Sequence, residues 1–276
     1  MKVPASTVVI EPKSGLLDFG IGELFEYREL FLFLVWREIR GRYAQSVLGI
    51  GWAIIQPLMA MVVFTVIFGN LAQIDSDGIP YSIFSYSALV AWTYYSEALN
   101  GSTTSLVTNA NMLQKTYFPR LILPMSAVLA RMVDFLIAFT VLIAMMLWFG
   151  ISPTWWALGV PVLVVLLMLS ASGLGMLLAA MAVQYRDVKH AMSFMIKFLM
   201  YAAPVVYPVS YIPDQYRLLY ALNPMVGVVE GFRASLLGTT PMPWDLIGVG
   251  AVTAVVTFVI GAVYFRRQEH VFADVG

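Results

Sequence analysis

Five ionisable residues of this chain sit where charge is expensive. Glu97, Arg131 and Asp134 fall within or beside strongly apolar stretches, and Glu230 and Arg233 stand three positions apart in a proline-rich segment. Such residues pair with one another, relay protons, or hold a metal or an anion. A charge facing lipid at a helix centre costs about 2.5–3.5 kcal/mol, so pairing is the economical state. Arg131 and Asp134 have i, i+3 spacing, which places them on one helix face and predicts an intramembrane ion pair. Glu230 and Arg233 share that spacing and can pair likewise. Glu97 has no local partner and lies at the cytoplasmic third of its span, within reach of water or a partner subunit. Acid–base or metal chemistry needs close carboxylates, and the close pair on a loop, Asp75 and Asp77, has no basic phosphate clamp nearby. With no cysteine and only His190 and His270, far apart, thiol catalysis and a metal centre are not expected. No GxxxxGK followed by Ser or Thr occurs, so the chain has no P-loop phosphate cradle of its own.

The elements that hold Glu97, Arg131 and Asp134 must be membrane spans. Of 276 residues 60% are hydrophobic and 12% charged, and the mean hydropathy is +0.81, far from a soluble domain. A formal net charge of zero gives no global field for nucleic acid. Arg37, Arg40 and Arg42 crowd together and no further charge occurs until Asp75. Roughly 20 apolar residues cross about 30 Å of hydrocarbon, and basic residues mark the cytoplasmic flank. Six spans are expected at about 47–69, 83–107, 121–149, 155–183, from 192 onward with interruptions at Pro204 and Pro208, and 246–265. The turn GISPT at 150–154 divides the third from the fourth. Lys115 and Arg120, then Arg186, Lys189 and Lys197, then Arg266 and Arg267 fall on alternate sides, so both termini are expected in the cytoplasm. Arg217 and Arg233 depart from that bias in a long outer connection. No cleavable signal peptide is expected.

Three segments outside the spans can carry function. Residues 1–22 read as a flexible cytoplasmic tail. Residues 23–42 read as an interfacial amphipathic helix, with Leu24, Tyr27, Phe31, Leu34 and Trp36 on one face and Glu26, Glu29, Arg37 and Arg40 toward water or headgroups. Residues 109–120 suit either a plain loop with snorkelling cations or a short surface helix exposing Leu113, Tyr117 and Phe118 to a partner, anchored by Lys115 and Arg120. Residues 204–235 are too polar to span yet rich in Val, Leu and Tyr. They suit an outer loop or short helices dipping back against protein. Aromatics, 14% of the chain, gather at span ends as interfacial belts. Trp52, Phe64, Trp92, Tyr95 and Tyr201 are candidates to line a sugar pathway.

Five separated stretches in order, WREIRGRYAQSVLGIGWAIIQP at 36–57, SLVTNANMLQKTYFPRLILP at 105–124, VQYRDVKH at 183–190, LNPMVGVVEGFR at 222–233 and FRRQEHVFADVG at 265–276, resemble the permease subunit of type-2 ABC exporters, in particular the branch exporting O-antigens, capsules and teichoic acids. The resemblance implies an all-α integral membrane fold: six transmembrane helices, an N-terminal interface helix (23–42), a cytoplasmic coupling helix (109–120) and re-entrant outer gate helices (204–235), in one domain over 23–276. It implies ATPase-coupling roles for Asn111, Leu113, Lys115, Tyr117, Phe118, Arg120, Glu29 and Arg37, and outer-gate roles for Tyr207, Tyr211, Asn223, Pro224, Glu230 and Arg233. The implied partners are a second copy, two nucleotide-binding ATPase subunits that bind ATP and Mg, membrane lipids and a polyprenyl-linked glycan, in the bacterial inner membrane. The chain is then no enzyme by itself. Rival readings keep the fold with another cargo, such as a drug, small lipid, teichoic acid or nodulation-type oligosaccharide. Further off are a membrane glycosyltransferase or prenyltransferase, which would need paired acids at a membrane face, and a secondary transporter, which would need more than Glu97 unpaired in its spans.

Overall fold

The computed structural model describes residues 25–44, 46–185 and 187–269, every regular element of them helical. The tail 1–22, Leu24, Arg186, His270 and the end of the closing motif lie outside the described residues. Helix α1 (Arg28–Tyr43) leads through a 3₁₀ turn (Gly49–Gly51) into α2 (Trp52–Phe64), which runs on as a π turn (Thr65–Leu71). There follow α3 (Tyr81–Thr108), α4 (Ala110–Lys115), α5 (Ile122–Ala130), α6 (Met132–Phe149), α7 (Val160–Gln184), α8 (Asp187–Tyr201), α9 (Asp214–Tyr220), α10 (Pro224–Phe232) with a π turn (Arg233–Leu237), and α11 (Trp244–Gln268).

Four stretches among the described residues are long and apolar enough to cross a membrane: Gly49–Leu71, Ile122–Phe149, Trp155–Gln184 and Trp244–Gln268. The other two expected spans differ for separate reasons. Helix α3 has 28 residues, about 42 Å at 1.5 Å per residue, but carries many Ser, Thr and Tyr. It escapes a hydropathy criterion because its surface faces protein. Helix α8 has 15 residues, about 22 Å, and ends at Tyr201, short of the interruption at Pro204. The GISPT turn forms as expected: Gly150 is left-handed at φ +67, and Ile151 N–H reaches the Met146 carbonyl at 2.9 Å, closing α6 with a glycine C-cap.

Helix α3 is the centre of the molecule, packed along α2, α5, α6, α7 and α10. Several of its serine and threonine hydroxyls bond its own backbone, as Ser87 to the Phe84 carbonyl and Thr103 to the Leu99 carbonyl, both at 2.8 Å, while tyrosine hydroxyls reach carbonyls of other elements, as Tyr86 to Ala138 and Tyr94 to Val128. Serines and threonines that satisfy themselves in this way can be buried without a neighbour's help. Small residues set the closest approaches: a Cβ on Gly175 would lie 2.4 Å from Ser102 Oγ, and one on Gly261 of α11 would lie 2.1 Å from the Gly173 carbonyl oxygen of α7. Backbones that meet this closely are held by dispersion and weak Cα–H contacts that larger residues forbid.

The interface helix differs from expectation in which face it buries. Tyr27, Leu30, Phe31 and Leu34 turn inward onto a cluster with Leu106, Phe118, Ile122 and Phe265. Trp36 is exposed, because at 100° per residue it points about 200° away from Leu34; Arg40 lies over its ring at 5.0 Å. Glu29 is exposed as expected, whereas Arg37 turns inward to α4.

Replacing Gly261 by Val is expected to destabilise the fold by about 1–3 kcal/mol through overpacking, read as a lowered melting midpoint in detergent. Gly248→Ala, which meets open space, is expected to leave that midpoint in place.

Candidate functional site

Where α1 joins α2, the side chains of α2, α3 and α6 leave a cavity of about 380 Å³. Its floor is ionic. Arg131 Nη1 lies 2.7 Å from Glu97 Oε2 and 3.9 Å from Asp134 Oδ2. Asp134 in turn accepts from the Arg42 guanidinium and from the Tyr43 hydroxyl. The expected Arg131–Asp134 pair is therefore the looser contact of a four-charge network, and Glu97 is partnered rather than alone. The tight partners lie 34 and 92 positions away in sequence, beyond any spacing rule. The walls are Trp52, Pro57, Val90, Tyr94, Phe135 and Ala138, with Gln56 and Thr93 as further polar lining. Trp52 keeps 46% of its surface exposed. Two guanidinium groups and two carboxylates cancel, so the cavity is polar without net charge.

A second charge pair lies at the far end of α3. Arg233 is 0% exposed; its Nη1 is 2.8 Å from Glu230 Oε1, and Nη2 donates to the Val205 carbonyl at 3.1 Å. The guanidinium sits 3.5 Å over the Phe84 ring of α3, a cation–π contact strengthened by exclusion of water. Only Nε lacks a partner. These bonds pin the turn 202–208 to α10. Asn223 caps α10 by accepting from Met225 N–H at 3.1 Å, Pro224 occupies the first turn, and the Asn223 amide donates to the Ala202 carbonyl at 2.9 Å, the Asn-Pro start that favours a helix N-terminus. Tyr207 donates to the Tyr201 carbonyl at 2.8 Å and stands 3.0 Å from the Tyr220 hydroxyl. Tyr211 is exposed and its hydroxyl accepts from Asp75 N–H at 3.3 Å. In the loop before α3, burial pushes the Asp77 carboxyl above its usual range, Arg233 opposing that shift and Asp75 reinforcing it.

At the opposite end, segment 109–120 forms α4 and an extended run to Pro119. Arg37 Nη2 donates to Asn109 Oδ1 at 2.5 Å and Nη1 approaches Met112 Sδ at 3.6 Å, so α1 is bonded to this segment. Asn111 and Lys115 are exposed, and Leu113 is half-buried. Tyr117 is 77% exposed, but Phe118 is 3% exposed and belongs to the core, which corrects the expectation that both face a partner. Thr116 is extended, and the non-helical chain that follows turns Tyr117 outward and Phe118 into the core. Arg120, expected at headgroups, donates to the Glu269 carbonyl at the end of α11.

Among the candidate pathway aromatics, Trp52 and Tyr201 are exposed, and Phe64 is partly buried against Phe68. Trp92 and Tyr95 are buried, 5.7 Å apart, in the core and offer no free ring face. Sequence reading missed Arg42, Tyr43, Gln56 and Thr93 as parts of one site; the arginine cluster before the first span pointed to Arg42, but only as a mark of the cytoplasmic flank.

These features define a polytopic helical membrane protein whose charges are neutralised in networks at the two ends of a central helix. Residues 29–237 match the ABC-2 type transporter family, and the chain belongs to that family. It is 29% identical to an O-antigen export system permease protein, RfbA, of Myxococcus xanthus, over 92% of this chain and 98% of the relative. A Klebsiella pneumoniae RfbA is 24% identical over 94% and 98%. The polysialic acid transport protein KpsM of Escherichia coli is 25% identical over 84% and 91%.

Removing one member of the buried Glu230–Arg233 pair leaves the other unpaired. Arg233→Met is expected to cost about 3–5 kcal/mol. The double variant Arg233→Met, Glu230→Gln should cost less than Arg233→Met alone, a comparison thermal unfolding of purified protein can make. A second prediction concerns the Glu97–Arg131 network: Glu97→Arg alone should lower the melting midpoint, and combining it with Arg131→Glu should recover part of the loss.

Proposed function

We propose that this chain is the membrane subunit of an ATP-driven exporter that moves a lipid-linked polysaccharide, of O-antigen type, from the cytoplasmic to the outer side of a bacterial inner membrane. Two copies enclose the path, both termini face the cytoplasm, and two copies of a separate ATPase bind ATP and Mg. The observation that carries this reading is the nearly end-to-end similarity to permeases named for O-antigen and polysialic acid transport, in a chain with no P-loop. The structure supports it in two further ways. Segment 109–120 projects Tyr117, Asn111 and Lys115 while Arg37 ties it to α1, a surface suited to receive a push from the ATPase. Buried α10, held by Glu230 and Arg233 against α3, suits an outer gate whose irregular backbone is sheltered by protein. An acidic capsule-type cargo is the second reading, favoured by the likeness to KpsM.

Affinity purification in mild detergent with the co-expressed ATPase is expected to recover both polypeptides in near-equal amounts, with ATP hydrolysis in the complex. Tyr117→Ala should lower ATPase recovery about tenfold, as loss of an aromatic anchor does, with the permease still monodisperse. Phe118→Ala should instead lower the melting midpoint. Absence of any ATPase under these conditions would overturn the exporter reading, and full recovery with Tyr117→Ala would remove this segment as the docking site.

A further inference from the structure

The cavity over the Glu97, Arg131, Asp134 and Arg42 floor holds more hydrogen-bonding capacity than its ion pairs use. Gln56 and Thr93 line it, and among the described residues neither side chain is bonded to protein; Thr93 contributes only its backbone carbonyl, to Ser96. Arg42 and Arg131 make their ion pairs through Nη1, which leaves their remaining N–H groups for other acceptors. A guanidinium has five such donors in a fixed plane and each carboxylate has about four acceptor sites.

The ligand class follows from charge and shape. With the floor neutral, neither a phosphate nor an ammonium finds an uncompensated counter-charge; each would have to break a partly buried pair. An acidic sugar would also bring its carboxylate against Glu97 and Asp134. An uncharged polyhydroxylated ring breaks nothing: its hydroxyls bond the amide, hydroxyl, guanidinium and carboxylate edges, and its apolar face rests on the exposed indole of Trp52. The volume lies within the range of small-molecule sites.

We infer that this cavity is a binding subsite for an uncharged sugar ring of the cargo, with Trp52 as stacking platform and Gln56 and Thr93 as hydrogen-bonding partners above the ion-paired floor. The inference rests on the glycan-export reading and narrows it, since it selects neutral over acidic sugars.

Saturation-transfer NMR on the permease–ATPase complex in nanodiscs tests it, with methyl glycosides of glucose, galactose and mannose at millimolar concentration and N-acetylneuraminic acid as the acidic probe. Transfer to at least one neutral glycoside is expected, and none to the acidic sugar. Trp52→Leu and Gln56→Leu, each at a partly exposed position, should weaken that transfer by about tenfold, the loss of a stacking face or a hydrogen bond, with the melting midpoint unchanged. No transfer from any neutral glycoside, transfer unaltered in both variants, or equal transfer from the acidic sugar would each overturn the subsite. So would native mass spectrometry showing a phospholipid retained by the parent protein and lost from both variants. An intact ATPase complex without sugar binding sinks only the subsite; sugar binding by a permease that recruits no ATPase sinks only the exporter reading.

Discussion

Charge in a layer without water has to be cancelled locally, and that constraint organises this protein. The cost of an ionised side chain facing hydrocarbon is comparable to the whole effect of a damaging core mutation. Six charges are gathered into two networks, one formed by Arg42, Asp134, Arg131 and Glu97, the other by Glu230 and Arg233. Each network joins elements distant in sequence, so neutralisation also fixes which helices are neighbours. Arg42 and Tyr43 lock the end of α1 onto α6, Arg131 locks α6 onto α3, and Arg233 stacks on α3 through Phe84.

Helix α3 is common to both networks. Glu97 and Phe84 are thirteen positions apart, about 20 Å along the axis, so one rigid helix connects the interface side of the molecule to the buried α10. Its polar residues make it a poor lipid-facing span and a good interior one. Self-bonded hydroxyls such as those of Ser87, Thr103 and Ser105 need no partner on a neighbouring helix, whereas the buried Ser102 hydroxyl, where Gly175 of α7 approaches closely, is left without one. The Gly173–Gly261 contact repeats the device between α7 and α11. By contrast α4 and α9 contain no buried residue.

How far the sequence could be read depended on the range of each interaction. The spans at α2, α5–α6, α7 and α11 were legible because hydropathy is local, and the 150–154 turn was legible because Gly150 is demanded by a helix end. The Glu230–Arg233 pair was legible because its members fall within one helical turn. The fate of Trp36, Trp92, Tyr95 and Phe118 was not legible: an aromatic at a span end looks the same whether it meets lipid, substrate or another helix, and only packing sorts them.

By itself, then, the sequence determined that the chain lives in a membrane, roughly where its spans fall, which family it resembles and which residues carry uncompensated charge. Tertiary structure alone decided where those charges go. Glu97 finds Arg131 and Arg42 finds Asp134 because helices adjacent in space bring together groups 34 and 92 positions apart. Pairing energy depends on distance through the fold and on the low dielectric around it, and neither quantity is written in the spacing of residues along the chain.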